Sequence, residues 1–161
     1  MAITKIQSES VNLADDFAFT GTITGAGGVN TPAFYVTKNS TQTISNSTHT
    51  ELTWQTEVLD TDSNFASNRF TPTTAGYYQI SLSVRMDSTD TETQLWIKKN
   101  TSQYTLYDEV NLQWQMNGSR IFYANGTGDY FTAGVWQGSG SDKTVNSSDQ
   151  HTAFQGFKII T

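Results

Sequence analysis

His49 and His151 are the only imidazoles in this 161-residue chain, and there is no cysteine. A catalytic hydroxyl needs an activating base beside it, and a zinc site needs three or four nitrogen, sulfur or carboxylate ligands. Two isolated histidines in Ser/Thr-rich surroundings form no recognisable motif for either. No phosphate loop, Gly-x-Ser-x-Gly elbow or dinucleotide fingerprint is present. The expectation is a protein that is not an enzyme and that carries no cofactor and no metal. The weak exception is acidic: Asp87, Asp90 and Glu92 crowd one turn and Asp60 and Asp62 another. Hard oxygen ligands at alternating positions suit Ca²⁺, but the spacing matches no EF-hand, and a solvated acidic loop is the plainer reading. Segments 60–68, 101–109 and 138–150 read as loops that could grip a glycan, and Tyr104, Tyr107 and Trp136 are candidates for stacking on sugar faces. No residue pattern fixes a particular sugar.

The elements that must position these groups are strands. Phe70-Thr71-Pro72-Thr73-Thr74-Ala75-Gly76 is a turn phrase, with Pro fixing one residue and Gly freeing another. It runs into Tyr77 to Met86, where Tyr78, Ile80, Leu82, Val84 and Met86 alternate against Tyr77, Gln79, Ser81, Ser83 and Arg85. Similar alternation marks Leu52 to Val58, Gln94 to Lys98 and Val110 to Met116. Asn117-Gly118 reads as a hairpin turn, and Tyr130 to Gln137 as a later strand. The predicted core is Tyr78, Ile80, Leu82, Val84, Leu112, Trp114 and Phe157, although only one of Phe154 and Phe157 can share a given face. Tyr77, Trp96 and Phe131 fall opposite that set. Exposed aromatic area of this kind marks an interface, so these three are assigned to subunit contact.

Four phrases occur in an order that resembles the complement C1q-like domain, a jelly roll shared in outline with tumour necrosis factor ligands. They are Thr31-Pro32-Ala33-Phe34-Tyr35-Val36, the Phe70-x-Pro72-x-x-x-Gly76-x-Tyr78 phrase, Gly128-Asp129-Tyr130-Phe131, and the closing Phe154-Gln155-Gly156-Phe157. The resemblance covers residues 31–161. It implies an all-β sandwich of approximately ten strands that packs as a homotrimer through one sheet, and it slightly raises the case for calcium near the trimer axis.

Composition agrees. Charged residues make up 15% and aromatics 12%, Ser, Thr and Asn are abundant, and long helix-forming tracts are missing. The net charge of -6 argues against nucleic acid, which requires clustered Lys and Arg. No stretch approaches the ~20 apolar residues of a membrane helix. No apolar run of a secretory signal follows Met1-Ala2-Ile3-Thr4-Lys5, so the six Asn-x-Ser/Thr sequons read as chance matches.

Gly25-Ala26-Gly27-Gly28 divides the chain into an extended N-terminal arm, 1–28, and a head, 29–161. Ile3, Ile6, Val11, Leu13, Phe17, Phe19 and Ile23 scatter apolar groups along an arm too short to bury them alone, so the arm needs a partner surface. Its Asp16 to Gly25 phrase resembles stretches preceding Gly-rich joints in tailed-bacteriophage fibre and decoration proteins. The leading expectation is a virion structural protein made in a host cytoplasm, a trimeric fibre or decoration protein docked by its arm. A host glycan-binding adhesin is the second. A secreted C1q-like ligand is the third, and the missing signal and collagen-like stalk count against it.

Overall fold

The computed structural model describes residues 30–87, 92–109 and 115–160. The arm and its seven docking candidates lie outside them, as do Asp90, Leu112 and Trp114. Among the described residues there are thirteen strands and no helix. The strands are β1 (Ala33–Lys38), β2 (Gln42–Ile44), β3 (Thr50–Glu51), β4 (Thr56–Asp60), β5 (Phe65–Ala66), β6 (Arg69–Phe70), β7 (Gly76–Arg85), β8 (Thr93–Lys99), β9 (Ser102–Glu109), β10 (Gln115–Ala124), β11 (Phe131–Gln137), β12 (Lys143–Val145) and β13 (Ser148–Lys158).

Two antiparallel sheets face each other. One runs β10-β7-β13-β1-β4 and the other β5-β6-β11-β8-β9, with β3 also pairing on β11 and β12 pairing separately with β2. The larger number of strands than expected comes from the two- and three-residue pieces β2, β3, β5, β6 and β12.

Strand alternation delivers the core. Tyr78, Ile80, Leu82 and Val84 of β7 are fully buried, meeting Leu95 and Ile97 of β8 and Phe131, Ala133 and Val135 of β11 in one cluster. Aromatic rings bridge the sheets: Phe34 lies 4.2 Å from Phe70 and Phe131 lies 5.3 Å from Phe122, while Phe154 packs 4.8 Å from Phe34 within the first sheet. Tyr78 Oη donates to Thr74 O at 2.6 Å, tying the Pro-Gly turn to the strand that it launches.

Three expectations are corrected. Asn117-Gly118 is not a hairpin turn; β10 runs through it in register, with Asn117 opposite Ser83 and Gly118 opposite Leu82. The glycine serves close approach instead, since a Cβ there would lie 2.7 Å from Leu106 Cβ. Phe157 is not core: it is 39% exposed, while Phe154 takes the inward position. A side chain at the next inward position, Gly156, would meet Ile80 Cδ1 at 2.6 Å and Phe34 Cε1 at 2.9 Å, so β13 points inward through Phe154 and leaves Phe157 outside. The segment 101–109 is a strand, β9, rather than a loop.

Candidate assembly face

The outer surface of the β10-β7-β13-β1-β4 sheet gathers side chains that a lone domain leaves in water. Tyr123 is paired with Tyr77, and their rings meet edge to face at 5.4 Å. In the next row Ile121 and Phe157 flank Gln79 from either side, followed by Ala33. The third row runs Ser119, Ser81, Gln155, Tyr35 and Leu59. A register shift where β1 meets β4 sets Val58 out of step, so Val58 and Leu59 are both exposed. Tyr77 and Tyr123 are half exposed and Ile121 is 58% exposed. A groove of about 450 Å³ crosses this surface between Tyr35, Leu59 and Phe157. Below these rows the face turns polar: Ser81, Ser83, Asn117 and Ser119 line a shallow depression.

Of the three residues assigned to subunit contact, only Tyr77 is available. Phe131 is fully buried and packs 6.4 Å from Phe70 in the core. The parity read from β7 does not carry over to β11, where Phe131, Ala133 and Val135 point inward. Trp96 does lie opposite the inward Leu95 and Ile97, but it too is fully buried. It sits across Gly134 against β3, with His49 at 6.1 Å and the Lys98 ammonium 4.7 Å above its ring. Tyr123, Ile121, Phe157 and Leu59 were missed. Ile121 and Tyr123 were recoverable from alternation once β10 is drawn through Gly118.

The three sugar-stacking candidates are separated. Tyr104 and Tyr107 pack against the core, Tyr104 5.1 Å from Phe122 and under the Arg120 guanidinium at 4.9 Å. Trp136 is on the other side of its sheet, beside His49 at 6.2 Å. His49 Nδ1 lies 3.2 Å from Gln103 Nε2.

Two of the acidic candidates, Asp87 and Asp60, are bound into turns. Asp87 Oδ1 accepts from Thr144 N at 3.0 Å, and Glu92 is exposed. Asp60 accepts from Asn64 N and Phe65 N at 3.0 and 2.8 Å. Among the described residues no three acidic or imidazole side chains form a metal-binding group. Asp129 accepts from Asn100 Nδ2 at 2.8 Å, Lys99 Nζ at 2.9 Å and Asn125 N at 2.9 Å. The Asn100 hydrogen bond, followed by that of Lys99, lowers its pKa below the usual carboxylate value. The Gly-Asp phrase thus holds two loops together rather than a ligand. Burial lowers the pKa of Lys38 to about 8, and its ammonium donates to Thr53 O at 2.7 Å and Gln42 Oε1 at 3.0 Å.

No family model matches the chain, and no curated protein matches it. Solved structures do. The PRD1 vertex protein P5 superposes with a TM-score of 0.62 at 16% identity, covering 82% of this chain and 99% of that one. Murine APRIL at pH 8.0 gives 0.59 at 14% identity, covering 79% and 98%. The globular domain of the zebrafish complement 1qA protein gives 0.53 at 16% identity, covering 80% and 97%. These likenesses establish the fold: the chain is an all-β jelly-roll sandwich of the tumour necrosis factor and C1q type.

Proposed function

We propose that this chain is a non-enzymatic structural protein of a phage virion, a homotrimeric short fibre or decoration protein on capsid or tail. In this reading three heads associate through the outer face of the β10-β7-β13-β1-β4 sheet. The observation that carries the proposal is the contiguous apolar patch of Tyr77, Tyr123, Ile121, Phe157 and Leu59. Completing the burial of five half-exposed side chains is worth about 1 kcal/mol each. That is about 5 kcal/mol per head before ordering costs, and a closed threefold ring covers the patch on every copy. The C1q-like phrases support three-fold rather than two-fold closure, and the likeness to a phage vertex protein supports a virion setting. The arm, residues 1–28, is the proposed anchor.

Light scattering on the full chain should give three times the 17.8 kDa chain mass. The double variant Tyr77→Asp/Ile121→Asp should give a folded monomer. A monomeric wild type at micromolar concentration would sink the trimer. A chain starting at Val29 should trimerise yet be missing from assembled particles; incorporation at full copy number would remove the anchoring role.

A further inference from the structure

The apolar groups of the assembly face are not spread evenly over it. Ile121 and Tyr123 stand on β10, at one flank of the sheet, with Tyr77 against Tyr123. Leu59 stands on β4, at the other flank, where it walls the groove of about 450 Å³ together with Tyr35 and Phe157. Four strand-to-strand steps of about 4.8 Å set the two flanks about 19 Å apart. Between them run the polar Gln79, Ser81 and Gln155. The β10 flank is a ridge, with Ile121 58% and Tyr123 50% exposed. The β4 flank is a hollow, and none of its described lining residues is charged.

A ring of three cannot bring like to like. A two-fold interface uses the same patch on both copies, but a three-fold one is heterologous, so each head shows one surface to one neighbour and a different surface to the other. A ridge and an uncharged hollow on opposite flanks of one sheet meet that demand, because the centre of an interface is depleted of charge.

We propose that the β10 ridge of each head, Ile121 and Tyr123, seats in the groove between Tyr35, Leu59 and Phe157 of the next head, head to tail around the ring. This rests on the trimer reading and adds to it which surface meets which. The occupant is a second copy because only a copy accounts for both features at once. The arm or a foreign chain lying in the groove would leave Ile121 and Tyr123 in water, whereas each head-to-tail contact covers one ridge and fills one hollow. At about 450 Å³ the groove is within the roughly 300–1,000 Å³ of pockets that enclose a small molecule, so it has room for more than one side chain.

The chain has no cysteine, so introduced thiols report contacts directly. In full-length protein Leu59→Cys/Ile121→Cys should link between subunits under mild oxidation or with a short bismaleimide. Most of the protein should then run as covalent dimer and trimer on a denaturing gel without reductant, and none as anything larger. Leu59→Cys/Tyr123→Cys probes the neighbouring ridge position in the same way. Each single cysteine variant should stay largely unlinked. Efficient linking in the single variants would mean that like meets like and would overturn the pairing. So would double variants that stay unlinked while light scattering shows a trimer; unlinked protein that scatters as a monomer would instead sink the trimer reading beneath it. A ladder extending past three would overturn the closed ring. The chain starting at Val29 should link to the same extent, and linking that appears only after this truncation would show that the arm fills the groove and would overturn the second copy as its occupant.

Discussion

Gly134→Ala is expected to be among the most damaging single-methyl additions in the head. A Cβ on Gly134 falls well inside contact distance of both Trp96 Cζ2 and Thr50 O. The indole is fully buried, and the carbonyl belongs to β3, whose Thr50 pairs with Val135 and Glu51 with Gly134. Overpacking ordinarily costs about 1–3 kcal/mol, and displacing β3 forfeits ladder hydrogen bonds at about 1 kcal/mol each. The sum is about 3–5 kcal/mol. Replacing the indole with a smaller group removes one obstacle and leaves the other, so Trp96→Val/Gly134→Ala should lose less than the sum of the single losses. A coupling of at least ~1 kcal/mol is expected. Urea melts of the four proteins, followed by circular dichroism, measure this directly. Additivity within ~0.4 kcal/mol, or a Gly134→Ala midpoint equal to wild type, would refute the claim that the glycine exists to seat the tryptophan.

Leu82→Ala, fully buried, should cost about 2–5 kcal/mol, whereas Phe157→Ala should barely move the melt of a monomeric variant but shift the association equilibrium of the wild-type face; comparable losses in the monomer would contradict the assignment of faces. Asp129→Asn should destabilise by about 1.5–3 kcal/mol at neutral pH. Because the folded carboxyl has the lower pKa, its contribution is present above the unfolded value near 3.9 and fades as pH falls through the folded one, so the gap to wild type should narrow in acid; a gap that widens would be inconsistent with the network. Lys38 has the opposite bias: the unfolded chain holds its proton between about pH 8 and 10.5 where the folded chain releases it, so the stability of wild type relative to Lys38→Met should rise across that window, and a flat difference would argue against a desolvated ammonium.

Much of the scaffold was legible because β7 states its own parity: Tyr78, Ile80, Leu82 and Val84 are all apolar and their neighbours are mainly polar. In β11 both parities are apolar or small, with Phe131, Ala133 and Val135 set against Gly134 and Trp136, so alternation carries no sign and the inward set was assigned wrongly. Trp96 was placed on the correct side of its strand. What hides it is β3, two residues long and distant in sequence, together with the empty space over Gly134. The apolar face was half legible: Tyr77 announced it, but Ile121 and Tyr123 were lost when Asn117-Gly118 was taken for a turn. Nothing local distinguishes a hairpin glycine from one that lets Leu106 approach.

The position of β1 also governs how the head responds to force. Its first residue, Ala33, lies opposite Phe157 near the end of β13, and Lys158 N donates to Pro32 O at 3.1 Å; on its other side β1 is paired with β4. A pull applied at residue 30 along the strand axis runs perpendicular to the hydrogen bonds on both flanks. The bonds therefore resist together in shear instead of opening one by one like a zip. Drag on the far end of the head would be transmitted to that same strand in the direction it best withstands. Traction on the C-terminal side at Lys158 likewise loads β13 between β1 and β7. The jelly roll thus offers two central strands as tension members, while the short edge pieces bear little of the strain.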